Sequence, residues 1–310
     1  MKVNFVSIVI PTFRHGWELG KVLWSLTALQ KDISKDDYEV IIINDEPEDP
    51  LVLDAAKAFF NAGYNIRYIR NPVEEQHGIK NAGRSGNIGA RQYAKGDLLV
   101  LMVDSARIVT PRALRRTINT FNEVGPDVCT TVLPYHIGKY YFDKSWTVKQ
   151  CRVLMEKIRW WEDPYKLKDH CADTYISRTG RINESTFHGI TKENFIKVGG
   201  WNEAFTGWGL HNIDLWRRCV YPPPPDGGDQ AEGVAGKWGK IGLGLAPLLL
   251  EGEGTYHIHH ELTVKRILPN IKKDTSFIWK EYKRLNECIV ANIEKPDWGI
   301  APTSEEMNLG

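Results

Sequence analysis

Val6-Ser-Ile-Val-Ile-Pro-Thr-Phe13 opens the chain with an apolar run that stops at a proline and a hydroxyl residue. A run that does not alternate between apolar and polar residues reads as a strand covered on both faces, as in parallel sheets flanked by helices. Residues 7–11 are therefore expected to form a strand, and further strands are expected at residues 38–44, 66–70, 97–103 and 128–133. Helical spacing fills the intervals. Residues 17–29 place Val22, Leu23, Leu26 and Leu29 on one face, and residues 50–62 and 85–94 are read as helices too. Thr110 is expected to cap a helix that opens with Pro111 and runs to about Val124. This alternation predicts an α/β fold with a Rossmann-like, mainly parallel sheet.

After Pro134 the rhythm changes. Residues 135–145 are aromatic and polar, 148–161 are expected to be helical, and 166–183 are charged and irregular. A strand is expected at 186–190 and a helix at 192–198, with Gly199-Gly200-Trp201 as a turn. The stretch 222–236 has four consecutive prolines and several glycines, so it reads as a loop. Beyond about Thr263 the pattern is helical and charged, and the chain runs out in a Pro- and Gly-containing end.

Composition bounds the function. With 310 residues, 42% hydrophobic and 25% charged, the chain has enough material for a large core. A formal net charge of +1 supplies no global field towards nucleic acid or anionic lipid. Five cysteines form no CxxC pair, which fits free thiols in a reducing compartment better than a disulfide framework or a zinc cluster. The first residues lack the basic and apolar regions of a signal peptide, and the run 241–250 is too short to span a bilayer. The expectation is a cytoplasmic protein.

In open parallel sheets, ligands bind where loops leave the carboxyl ends of the strands. Pro11, Thr12 and Phe13 follow the first strand, Asp45 the second, and Asp104 with Ser105 the fourth. A single Asp there is usually a turn former; several polar groups on one edge point to a pocket. A dinucleotide fold would need GxGxxG after the first strand, and Pro11-Thr12-Phe13 does not supply it. Gly83-Arg-Ser-Gly-Asn-Ile-Gly89 opens a helix instead. It reads either as close helix packing or as a frame for Arg84 to meet a diphosphate oxygen.

The ordered set of segments resembles a family-two glycosyltransferase of the GT-A fold. The matching pieces are residues 6–13, 40–45, 83–89, 95–97 and 98–104, then 199–209 and 214–217, spread over roughly residues 3–262. The resemblance implies a nucleotide-sugar donor, usually a uridine diphosphate sugar, a divalent metal (Mn2+ or Mg2+), and an acceptor hydroxyl on a glycan, protein, small molecule or nucleic acid. It divides the chain into a nucleotide-sugar-binding half (1–108), an acceptor-binding half of the same domain (109–262) and a helical C-terminal extension (263–310). By that likeness Thr12 and Asp45 hold the nucleoside, Arg84 and Asn87 lie near the phosphates, and Trp208 and Gly209 help wall the donor sugar.

Asp104-Ser105-Ala106 occupies the place of the family's DxD metal motif, with Ala106 unable to ligate. The segment also resembles the Asp-Ser-His version in the mucin-type polypeptide N-acetylgalactosaminyltransferases. His257 is the matching further metal ligand, with His259 and His260 beside it, and the alternative is a structural or surface histidine cluster. Where the inverting family carries Glu-Asp, this chain has His211-Asn212. An amide has no basic lone pair for accepting the acceptor's proton. Three readings stay open: His211 or Asp214 acts as base, the reaction retains configuration as in the mucin-type enzymes, or the protein binds without transfer. The bland alternative for Asp214 is a pair with Arg217 or Arg218. Two other residue groups are assigned to the acceptor side: Trp160 and Trp161, and the stretch 136–141. The loop 222–236 resembles a lid. A sugar nucleotidyltransferase would need a Gly-rich, Arg-containing loop after the first strand, which residues 11–16 lack.

Overall fold

The computed structural model describes residues 1–13, 15–46, 49–71, 81–102, 105–137, 148–172, 186–203, 211–220, 242–258 and 297–310. Its elements run β1 (Val6–Thr12), α1 (Gly16–Leu26), β2 (Tyr38–Asn44), α2 (Pro50–Asn61), β3 (Ile66–Arg70), α3 (Ala82–Ile88) and β4 (Leu98–Met102). Then come β5 (Arg107–Val109), α4 (Ala113–Val124), β6 (Val128–Ile137), α5 (Val148–Ile158), β7 (Cys171–Ala172), β8 (Phe187–Thr191), α6 (Lys192–Lys197), α7 (His211–Val220), β9 (Ala246–His257) and β10 (Glu305–Met307). Among the described residues all strands join one ten-stranded sheet, ordered β10-β3-β2-β1-β4-β8-β6-β9-β5, with β7 beside β6.

The sheet has two textures. β3, β2, β1 and β4 run parallel, which is the Rossmann-like half. Beyond β4 the direction changes: β8 lies antiparallel between β4 and β6, β6 and β9 pair in parallel, and β5 closes the edge antiparallel to β9.

Both faces are apolar because successive strand residues feed opposite cores. Ile8, Ile10, Val40, Ile42 and Val100 pack with Leu19, Val22, Leu23 and Leu26 of α1. Val9, Ile41, Ile43, Leu99 and Leu101 pack with Phe195, Trp201, Leu215 and Trp216 on the other side. Glycines set the approach of α3. A Cβ at Gly86 would stand 2.5 Å from the Trp201 ring, and one at Gly89 would collide with Ile43 and Val9. The glycine-rich stretch therefore does the packing work, as its first reading held.

Several expectations are corrected. The helix expected over 85–94 begins at Ala82 and passes into a π-helical turn at Gly89–Tyr93. Helix α4 starts after Arg112, not Pro111. The aromatic and polar stretch from Tyr135 begins with three strand residues of β6. Most of the helical extension expected at 263–310 lies outside the described residues, but residues 297–310 form turns and the edge strand β10. That strand is fixed by a forked pair in which Arg67 Nε and Nη2 donate to Glu306 at 2.7 and 2.6 Å. No helix among the described residues is long and apolar enough to cross a membrane.

One buried histidine gives a pH signature. His188 on β8 is 2% exposed, edge-on to Trp216 with ring centroids 5.1 Å apart. Burial pushes its pKa down to about 3 from 6.5. Between those values only the unfolded chain takes up the proton, so stability is complete above pH 6.5 and falls as pH drops below it. The expected slope from this group is about 1.4 kcal/mol per pH unit. His188→Leu should flatten the curve by that amount in urea unfolding followed across pH. An unchanged slope would show that the ring is not held neutral.

Candidate functional site

The carboxyl ends of β1, β2 and β4 meet on one edge. Asp45 N donates to Thr12 O at 3.1 Å, which joins the ends of β1 and β2. The Thr12 and Ser105 hydroxyls lie 2.7 Å apart, and His15 Nδ1 is 3.2 Å from Ser105 Oγ. Ser105 thus ties the turn after β4 to the loop that starts α1. Pro11 is buried in β1, and Phe13 is buried beside the site.

Asp45 is buried and oriented from two sides. Ser85 Oγ donates to both of its carboxylate oxygens at 2.6 and 2.8 Å, and Asn71 Nδ2 donates to Oδ1 at 2.7 Å. Ser85 belongs to α3, whose N-terminus is capped by Asn81 accepting from Arg84 N at 2.9 Å. Arg84 is half-buried one residue before Ser85, so its guanidinium is carried on the same turn that grips Asp45.

Asn87 is fully buried, its amide donates to Trp201 O at 2.8 Å and Glu203 Oε1 at 2.9 Å, and its carbonyl accepts from Trp201 N at 2.8 Å. The side chain thus braces the 199–203 turn.

Helix α7 begins at His211, which is buried. Asn212 Oδ1 accepts from the Trp201 indole nitrogen at 2.9 Å, so the amide fixes the tryptophan. Asp214 and Arg218 are both fully buried, and Arg218 donates to Asp214 Oδ2 at 2.7 and 3.0 Å. Burial raises the Asp214 carboxyl above its usual range against the opposing pull of Arg218. This geometry favours the pairing reading of Asp214, with Arg218 as its hydrogen-bonded partner.

His257 closes β9 and is 2% exposed. Its register partner on β6 is His136, with ring centroids 5.3 Å apart, and its partner on β5 is Arg107. Ile258 N donates to Ala106 O at 2.8 Å, which holds the end of β9 beside Ala106. Among the described residues no three His, Cys, Asp or Glu side chains form a metal cage. Asp104, Trp208, Gly209, His259, His260 and the 222–236 loop lie outside the described residues.

Sequence reading missed His15, Asn71, Ser85 and Arg107 as neighbours of the site. It also left the pairing of His136 with His257 unread. Arg107 had one signal available: it directly follows Asp104-Ser105-Ala106.

The model of glycosyl transferase family 2 matches residues 7–177, and that of the N-terminal domain of galactosyltransferase matches residues 185–222. No curated protein sequence matches the chain. Among solved structures, S. aureus TarS 1-349 in complex with UDP-GlcNAc is 12% identical with a TM-score of 0.55, over 93% of this chain and 67% of that one. GalNAc-T7 with UDP, GalNAc and Mn2+ is 13% identical with a TM-score of 0.50, over 94% and 57%. The mannosyltransferase PcManGT from Pyrobaculum calidifontis, in complex with GDP-Man and Mn2+, is 11% identical with a TM-score of 0.50, over 95% and 74%. These likenesses concern the fold.

Proposed function

The chain belongs to glycosyl transferase family 2 and is a glycosyltransferase, and on that premise we propose that it moves a sugar from a uridine diphosphate donor to a hydroxyl acceptor with help from a divalent metal. The observation that carries this reading is the meeting of Thr12, Asp45 and Ser105 on one edge of the sheet, with Arg84 on the adjoining turn. Asp45, pre-oriented by Ser85 and Asn71, accepts hydrogen bonds from the nucleoside, and Arg84 faces the diphosphate. Trp208 and Gly209 stand with the donor sugar. Solved neighbours bound to UDP-GlcNAc, UDP, GDP-Man and Mn2+ are consistent with a nucleotide-sugar donor, and two of them carry a uridine nucleotide.

The available protein donors suit an ion as a carboxylate–imidazole pair, Asp104 with His257, a set that favours manganese over purely oxygen-seeking ions. When bound, such an ion neutralises charge growing on the leaving diphosphate. Proton removal from the acceptor falls to His211 or to a phosphate oxygen of the donor, because Asn212 and Asp214 are committed elsewhere. Free cysteines, three of them buried, support placing the reaction in the cytoplasm.

The test is a thermal-shift screen of nucleotide sugars with and without Mn2+, followed by product analysis. A ligand that binds only the folded state at about 100 times its Kd stabilises it by about 2.7 kcal/mol. A metal-dependent rise with uridine donors together with sugar transfer is the expected result. Nucleotide binding with neither transfer nor donor hydrolysis would favour a binding protein without catalysis, the second reading motivated by Ala106 and Asn212. No shift with any nucleotide would overturn both.

Asp45→Ala is expected to weaken uridine nucleotide binding by roughly 10- to 100-fold, the value of hydrogen bonds to a charged group. Asp45→Asn should fall between wild type and alanine in isothermal titration. Equal affinities across the three would remove Asp45 from the site.

A further inference from the structure

Helix α1 has two different faces. Leu19, Val22, Leu23 and Leu26 lie in the core, while Trp17, Gly20, Lys21 and Trp24 recur at helical spacing on the opposite side. That second face borders a cavity of about 370 Å³, whose other wall is Met155 and Glu156 of α5 with Trp160 and Trp161 beyond it. Four indoles line this one cavity, and two of them stay in solvent: Trp24 is 40% exposed and Trp161 38%. Trp160 is buried edge-on to Trp161, which fixes the outer ring in place.

The polar groups in the cavity narrow the ligand. Lys21 Nζ sits 3.1 Å from the Trp17 ring centroid, and burial lowers its pKa to about 8. Glu156 supplies the opposite charge on the facing wall. Arg152, over the Trp17 ring at 4.3 Å and 3.5 Å from Glu18, adds a second opposite pair, so the aromatic lining carries hydrogen-bonding capacity without net charge. Volumes of 300–1,000 Å³ with mostly apolar walls and few polar groups are typical of small-molecule sites. The C–H faces of a pyranose ring stack on indoles while its hydroxyls bond to such groups.

We propose that this groove binds a neutral pyranose glycan and holds the part of the acceptor remote from the transferred sugar. The groove starts at Trp17, two residues after His15 of the donor edge, and follows α1 for seven residues, about 10 Å. That length suits about two sugar rings. The acceptor role rests on the glycosyltransferase reading; the binding of glycan does not.

The experiment is saturation-transfer NMR on the full chain with chitotriose, cellotriose and maltotriose, beside titration of UDP. One or more trisaccharides should bind with millimolar or tighter affinity. Trp24→Ala and Trp161→Ala, both at exposed positions, should each weaken that binding by about tenfold and leave UDP affinity unchanged. No binding by any of the three, or binding untouched by both substitutions, would overturn the proposal. Self-association of the wild type that Trp161→Ala abolishes would assign the groove to a second copy of the chain and overturn it too. UDP binding without glycan binding would sink the groove alone, and glycan binding without UDP binding would sink the donor reading alone.

Discussion

Arg218→Met is expected to cost about 3–5 kcal/mol of stability, because it leaves a fully buried carboxylate without its counter-ion. The guanidinium does more than pair with Asp214. It also donates to Val198 O at 2.5 Å and Gly200 O at 2.7 Å, on either side of a two-glycine turn. Gly199 and Gly200 have φ of 78° and 62°, a left-handed geometry that Arg218 holds from within. That turn delivers Trp201 onto Gly86 and its indole N–H onto Asn212. Loss of Arg218 should therefore loosen the start of α7 as well as lower the unfolding midpoint in guanidinium or urea. The double variant Asp214→Leu/Arg218→Met should recover part of the loss, since no lone charge remains buried, although the two carbonyls stay without a donor. A single-variant loss below about 1 kcal/mol would show that the pair is not the pin that its burial indicates.

The same pair illustrates how much of the site could be read from sequence. Asp214 sits at a spacing that serves both a catalytic base and an i,i+4 partner, and nothing local separates the two. Burial does, because a carboxylate with no solvent path and two guanidinium bonds is structural. Strand positions were far more legible. The bounds of β2 follow directly from its aliphatic run, since both of its faces are covered. β9 was not legible: after Leu250 it continues through Glu251-Gly252-Glu253-Gly254, a polar stretch whose partners are remote. Glu253 is buried there, accepting from the Tyr165 hydroxyl at 2.8 Å and lying 3.5 Å from Arg112. Gly254 makes room for the Tyr135 ring. β10 escaped for a similar reason, because Glu-Glu-Met has no apolar rhythm and is held by Arg67 and Arg70 across the ladder. Residues that answer to chain segments a hundred positions away leave no local periodicity to read.

Asp104→Ala is expected to abolish the manganese dependence of donor binding and to lower turnover by roughly two orders of magnitude or more. The chain is fixed on both sides of this residue. Met102 ends β4 in the core, and Ser105 is held by Thr12 and His15. Ala106 contributes no ligand, and its carbonyl is used by Ile258 N. Asp104 and His257 then make up the proposed protein share of the ion's donors, so removing one leaves a single imidazole, too little to hold a hard divalent cation against water. In calorimetry the variant's UDP affinity should be the same with and without Mn2+, at the level of the metal-free wild type. His257→Ala should fail in the same direction. Ser105→Ala removes only the hydroxyl links to Thr12 and His15, and should keep the manganese response. That contrast separates a lost ligand from a disturbed turn, since a merely misplaced turn would weaken Ser105→Ala and Asp104→Ala alike. Manganese-stimulated affinity undiminished in Asp104→Ala would mean that the carboxylate after β4 does not meet the metal at all.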